Sequence, residues 1–174
     1  MTASADNRRI RFRDETYALR GRLPRVGETA PDFRLVYSDM RDVTLARFDK
    51  RRKVLNIFPS VDTPTCAESI RQFDAHAARY PADAMLMISA DLPFAMTRFC
   101  GGEGLRNVFT LSCFRSPEFA SDYGVELADG AWRGLCARAC IVLDVGNTVL
   151  HAELVDDLID EPDYRAALAA LDNH

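Results

Sequence analysis

Nothing in this 174-residue sequence reads as a membrane span, a secretory signal or a nucleic-acid-binding stripe. No apolar run approaches the ~20 residues that cross a bilayer. The opening MTASADNRRI is polar where a signal carries an apolar core. Arg and Lys are scattered among Asp and Glu, with a formal net charge of -4, which argues against nucleic acid as the main partner. No internal repeat, low-complexity tract or long linker offers a boundary for a second domain. Five cysteines (Cys66, Cys100, Cys113, Cys136 and Cys140) are an odd number for a secreted disulfide framework, and no C-x-x-C pair occurs. Three dispersed histidines argue against a zinc site. These absences predict one domain behind a flexible tail over residues 1–8, free thiols, a cytoplasmic location and no membrane partner.

What the chain does contain is ordinary for a globular protein, 48% hydrophobic and 28% charged. A chain of this length buries roughly two thirds of the surface it exposes when unfolded, so it needs no disulfide or metal staple. RIRFRDE and TYALRG alternate around a turn and predict an N-terminal β-hairpin. GETAPDFRL leads into a short strand at residues 34–37, and DVTLARF into another. VLNIF, from Val54 to Phe58, is a compact apolar run suited to a strand buried on both faces. From about Pro64 to Tyr80, the positions Cys66, Ile70, Phe73, Ala77 and Tyr80 follow the four-three-four-three spacing of one helix face. AMLMISA predicts a second buried strand, residues 92–100 a short helix, NVFTLS a third strand and PEFASDYG a brief helix. ARACIVLD and TVLHAEL, joined across DVGN, read as an antiparallel hairpin. A last helix begins near Pro162 and buries Tyr164, Leu168 and Leu171. The order predicts an α/β fold, a central mixed β-sheet with helices on both faces, close to a thioredoxin-like plan.

The stretch NIFPSVDTPTCAESI sets Cys66 between the first buried strand and the first long helix. Two helix starts fit: Thr63 as N-cap with Pro64 in the first helical position, or Thr65 as N-cap with Glu68 completing a capping box. Under either, Cys66 lies in the first turn, where unpaired N–H groups and the helix dipole favour a thiolate. A free cysteine heading an apolar helix face is more often plain core, but three neighbours weigh against that here. Pro59 ends the strand and shapes the loop, the Thr63 hydroxyl can reach the sulfur, and Pro64 sets the direction of the helix. Full ionisation of an ordinary thiol gains only about 30-fold, roughly 2 kcal/mol, where enzymes supply ~10⁶-fold or more. The remainder requires donors that orient a substrate and stabilise charge on the leaving atom. Arg138, within the apolar LCARACIVL, is the candidate guanidinium, because a charge buried there needs an anion. The alternative is an Arg whose head reaches solvent at a strand end.

Cys100, in PFAMTRFCGGEG, falls at the end of a short helix closed by Gly101 and Gly102, where the dipole is reversed and the thiol stays protonated. An attacking thiolate at a helix start and a thiol at a glycine-freed helix end make a workable pair. The glycines permit the unravelling that brings two Cα atoms within about 7 Å. The alternative is that GGEG is only a helix stop; it lacks the ending of a phosphate loop. Cys113, Cys136 and Cys140 read mainly as core. If ARAC is a strand, Cys136, Arg138 and Cys140 share one face, which leaves room for a minor redox role. His76 lies about 15 Å along the Cys66 helix, too far for a Cys-His hydrolase, and His76, His151 and His174 read as surface residues.

Together GETAPDFRL, VLNIFPSVDTPTC, SADLPFAMTRFC, LSCFRSPEFASDYGV and LCARACIVLD resemble the thiol peroxidase branch of the atypical 2-Cys peroxiredoxins, over about residues 25–171. The resemblance implies a single thioredoxin-like peroxiredoxin domain over residues 9–174. It implies Cys66 as the peroxidatic cysteine, Cys100 as the resolving cysteine that joins it in a redox-active disulfide, and Thr63, Pro59 and Arg138 completing the active site. It further implies reduction of hydrogen peroxide and alkyl hydroperoxides through a sulfenic acid, thioredoxin as reductant, a homodimer, and no metal, haem or flavin cofactor. Departures from the pattern of this branch are Pro64, where some close relatives carry Gly, and the additional Cys136 and Cys140. Two rivals stand beside this reading. One is a general thiol/disulfide oxidoreductase, against which the missing C-x-x-C counts. The other is a peroxide sensor or redox-switched binding protein, which oxidises once and passes its disulfide to a partner instead of turning over.

Overall fold

The structure is a computed structural model and describes residues 8–172. Residues 1–7 of the tail expected over residues 1–8, and His174, lie outside the described residues. The chain opens with the expected hairpin, β1 (Arg9–Phe12) and β2 (Glu15–Arg20). Then follow β3 (Leu35–Val36), β4 (Asp42–Val43), a 3-10 turn (Leu45–Phe48), β5 (Lys53–Ile57), α1 (Pro64–Arg79) and β6 (Ala84–Ser89). The second half holds α2 (Pro93–Glu103), β7 (Phe109–Ser112), α3 (Glu118–Asp122), β8 (Glu126–Leu127), β9 (Ala139–Leu143), β10 (Val149–Leu154) and α4 (Tyr164–Asp172).

The main sheet runs β10-β9-β5-β6-β7-β3-β4, and β1, β2 and β8 form a smaller one. β5, β6 and β7 are parallel neighbours, joined by the crossovers α1 and α2; the outer pairings are antiparallel. This is the mixed sheet the sequence predicts. Every residue of β5, β6 and β9 is buried, so alternate side chains feed two separate cores. Val54, Met85, Met87 and Val142 pack under Ile70 and Phe73 of α1, Met96 of α2 and Leu171 of α4. Leu55, Ile57, Leu86, Ile88 and Ile141 pack on the other side against Ile10 and Tyr17 of the hairpin, Phe48, and Phe119 of α3. Each fully buried side chain such as Ile70 or Phe73 contributes roughly 1.5–3 kcal/mol. Helices therefore do flank both faces, but α1, α2 and α4 share one, and the hairpin, the 3-10 turn and α3 share the other.

Several expectations shift in detail. α2 runs on to Glu103, so Gly101 and Gly102 lie inside it; the helix closes at Gly104, whose φ of 71° is left-handed. The last helix starts at Tyr164, and its wholly buried residues are Ala167 and Leu171, with Tyr164 and Leu168 half-buried. β9 begins at Ala139, so Arg138 stands just before the strand and not within it. Cys136 and Cys140 consequently do not share a face: Cys136 belongs to the core beneath the hairpin, and Cys140 to the core beneath α1. His76 and His151 are half-buried and not surface residues; His76 stacks on Tyr80, with ring centroids 4.6 Å apart. Among the described residues, no helix is long and apolar enough to cross a membrane.

Candidate active site

The loop between β5 and α1 is built by its neighbours before it presents any chemistry. Phe58 N–H still pairs with Ile88 O at 3.1 Å, and the chain then turns at buried Pro59, which has no N–H to satisfy. Asp91, just past β6, holds the turn: its carboxylate accepts from Ser60 Oγ at 2.8 Å, Val61 N at 2.8 Å and Ser89 Oγ at 2.6 Å. Sequence reasoning missed Asp91. The available signal was a carboxylate placed directly after an apolar strand and before the prolyl start of a helix.

Of the two helix starts the structure has the first: Thr63 is the N-cap in extended conformation and Pro64 the first helical residue. Thr65 instead donates to Ile159 O at 3.0 Å, and Glu68 accepts from Arg71 and Gln72. Thr63 Oγ1 accepts from Cys66 N–H at 3.4 Å and stands 2.6 Å from Cys66 Sγ, closer than its 3.3 Å to Ser60 O, so its one proton goes to the sulfur.

Arg138 completes the grip. Its two terminal nitrogens donate to Cys66 Sγ at 3.4 and 3.5 Å, and Nη2 also donates to Leu158 O at 2.9 Å. The guanidinium is 1% exposed, which answers the alternative of a solvent-facing head. Its Nε has no partner among the described residues. A buried cation whose partners are one carbonyl and one sulfur is costly unless negative charge comes to face it.

Cys66 is itself wholly buried. Thr63 and Arg138, which hold its sulfur, also line a cleft of about 350 Å³ with apolar Phe12, Trp132, Leu158 and Ile159 and charged Arg13 and Asp62. Phe12 and Trp132 meet with ring centroids 4.4 Å apart. The hairpin and the only tryptophan thus reach a site to which the sequence reading did not assign them. No local pattern marks them, because β1 and residue 132 meet only through the tertiary fold.

The structure brings Cys66, Thr63 and Arg138 together, with Pro59 in the adjoining turn, and leaves Cys100 apart as a free thiol on α2. Burial, with the Asp74 carboxylate adding to it, pushes the Cys100 thiol up to about 11. It stays protonated, as expected, but chiefly through loss of solvent. Cys113, Cys136 and Cys140 are core residues, and no cluster of potential metal ligands occurs among the described residues.

Residues 25–168 match the Redoxin family. A thiol peroxidase of Mycobacterium bovis is 50% identical over 151 residues, covering 87% of this chain and 90% of that protein. Among solved structures, a thiol peroxidase from Chromobacterium violaceum superposes with a TM-score of 0.88 at 26% identity, over 95% of both chains. A peroxiredoxin-like protein from Aquifex aeolicus gives 0.87 at 29% identity, over 95% of this chain and 96% of that one. A buried thiol gripped at a helix start in a thioredoxin-like sheet agrees with these likenesses, and the chain belongs to the Redoxin family, on its thiol peroxidase branch, among the peroxidase oxidoreductases.

Proposed function

We propose that this chain reduces hydrogen peroxide and organic hydroperoxides with Cys66 as attacking thiolate and Cys100 as resolving thiol, within one domain over residues 9–174. The observation that carries the reading is the Cys66 sulfur held by Thr63 Oγ1 at 2.6 Å and by both terminal nitrogens of buried Arg138 at 3.4 and 3.5 Å. The thiolate attacks the nearer peroxide oxygen and the O–O bond breaks. The departing oxygen takes a proton and leaves as water or an alcohol, and Cys66 becomes a sulfenic acid. Donors already aimed at the sulfur are placed to stabilise charge that moves from it onto the peroxide, and Arg138 Nε adds one that has no partner among the described residues.

Cys100 then condenses with the sulfenic acid: its sulfur bonds to Cys66, and its proton leaves with the hydroxyl as water. A thiol raised to about 11 suits this order, since it holds its proton until the sulfenic acid is brought to it. Closure requires the start of α1 and the end of α2 to loosen. An external dithiol, thioredoxin, restores both thiols by exchange. The apolar walls of the cleft support organic hydroperoxides beside hydrogen peroxide. The setting is the cytoplasm, the assembly a homodimer and the role antioxidant.

The test is peroxide consumption coupled to thioredoxin and its reductase. Cys66→Ser abolishes it, whereas Cys100→Ser allows one stoichiometric oxidation without turnover. Turnover surviving in Cys66→Ser would overturn the assignment, and a Cys66 disulfide to Cys136 or Cys140 would displace Cys100 as the resolving thiol.

A further inference from the structure

Cys113 directly follows β7, and Cys136 sits in the segment leading to β9, bridged to Glu126 of β8. Twenty-three positions apart in sequence, their sulfurs stand 3.8 Å from one another. Both pack in the core beneath the hairpin, on the sheet face away from Cys66 and α1, so neither takes part in the chemistry described above. Their exposure differs in a useful way. Cys113 is 6% exposed and lines a small cleft of about 110 Å³ with Ala90, Phe114, Pro117 and Gly134, whereas Cys136 is wholly buried behind it.

The two thiols also divide the proton between them. A hydrogen bond from Cys136 holds the Cys113 thiol below the ordinary range, and the same contact, together with burial, pushes Cys136 well above it. The outer sulfur is the one an incoming oxidant can reach, with the inner one in contact behind it. Cys140, buried on the opposite face with no thiol partner, is pushed far up by burial and serves as an internal comparison.

We propose that Cys113 and Cys136 form a second redox dithiol, converted to a disulfide by hydrogen peroxide admitted through this cleft. Cys113 thiolate attacks one peroxide oxygen, the O–O bond breaks, and the hydroxide released takes a proton and leaves as water. Cys113 is then a sulfenic acid. The Cys136 sulfur bonds to it, its proton leaves with the sulfenic hydroxyl as a second water, and one peroxide has been reduced by two electrons. Sulfurs already in contact need no helix to unwind, in contrast to Cys66 and Cys100. Size also separates the two sites, since about 110 Å³ admits hydrogen peroxide in preference to a bulky organic hydroperoxide.

The inference goes beyond the function proposed above and does not rest on it. The test uses Cys66→Ser/Cys100→Ser protein, in which three of the five cysteines remain. Hydrogen peroxide lowers its titratable thiols from three to one, a non-reducing peptide map links Cys113 to Cys136, and dithiothreitol restores all three. Adding Cys113→Ser leaves both remaining thiols unoxidised under the same treatment. The same link is mapped in the unaltered protein after peroxide. Three thiols persisting, a sulfinic acid on Cys113 without a cross-link, or a link through Cys140 would overturn the proposal. Failure of the Cys66 reading shows separately, as absent turnover in the unaltered protein.

Discussion

Arg138 is a costly side chain to bury, because it is 1% exposed and has no carboxylate partner among the described residues. Removing a guanidinium from water costs several kcal/mol. The attraction of two unit charges ~4 Å apart is about 4 kcal/mol at the effective dielectric of protein interiors. The two roughly cancel, so the value of the pairing lies in chemistry more than in stability. Arg138→Lys, which replaces a two-pronged donor by a point charge, slows the first oxidation of Cys66 by about 10- to 100-fold. Stopped-flow fluorescence of Trp132, which walls the cleft, reads that step; an unchanged rate removes Arg138 from it. Thr63→Ser keeps both hydrogen bonds and most of the rate, whereas Thr63→Val loses the bond to sulfur, slows oxidation and costs about 1 kcal/mol of capping. Cys66, Thr63 and Pro64 were legible because capping chemistry is local, and Arg138 because a cation in an apolar run needs an explanation. Asp91 and Trp132 were not, since the turn that one holds and the cleft that the other walls exist only once distant segments meet.

At the scale of elements, closing a Cys66–Cys100 disulfide disturbs α1 and α2 together, and two features oppose it. Pro64 fixes the backbone at the first residue of α1, and Arg71 of α1 donates to Glu103 of α2 at 2.8 Å. Pro64→Gly and Glu103→Gln each therefore accelerate disulfide formation after a single peroxide turnover, as rapid-quench thiol counting measures, and leave the sulfenic acid step unchanged. The Glu103 link is also where the sequence misleads. Gly101 and Gly102 read as a helix stop, since each disfavours helix by about 1 kcal/mol against Ala. The helix nonetheless runs a turn further, because the left-handed position that ends it falls at Gly104, from which Leu105 N–H returns to Cys100 O at 2.9 Å. Three glycines compete for one cap, and composition alone does not choose among them. A Cβ at Gly104 meets open space but must adopt φ of 71°, so Gly104→Ala costs about 1 kcal/mol and lowers Tm by roughly 2–4 °C.

For the whole molecule, acid stability depends on groups that burial or pairing shifts. Burial lowers the His76 pKa, with nearby Asp83 opposing. An unfolded chain therefore takes up a proton near pH 6.5 before the folded one does, so this contribution is complete above about pH 6.5 and declines as pH falls toward the folded value. Glu103, held down by Arg71, acts in the same direction at lower pH. Tm accordingly falls on acidification from pH 7 to 5, and His76→Phe, which keeps an aromatic ring against Tyr80, flattens the decline. The α/β order and the strands buried on both faces were readable from periodicity, because burial leaves apolar runs in β5, β6 and β9. The covering of the second face by the hairpin was not, because an edge ribbon carries no mark of which surface it will meet. The thiol grip carries a consequence for the newborn chain. Arg138 follows Cys66 by 72 positions, and Leu158, which steadies it, comes 20 later still. A ribosome-bound chain therefore presents Cys66 as an ordinary thiol long before its counter-charge has been synthesised. On the role proposed for Arg138, fast peroxide reaction at Cys66 waits until the last part of the chain has been made and folded. In refolding, fast peroxide reaction at Cys66 should return together with the last native contacts, and not with initial collapse.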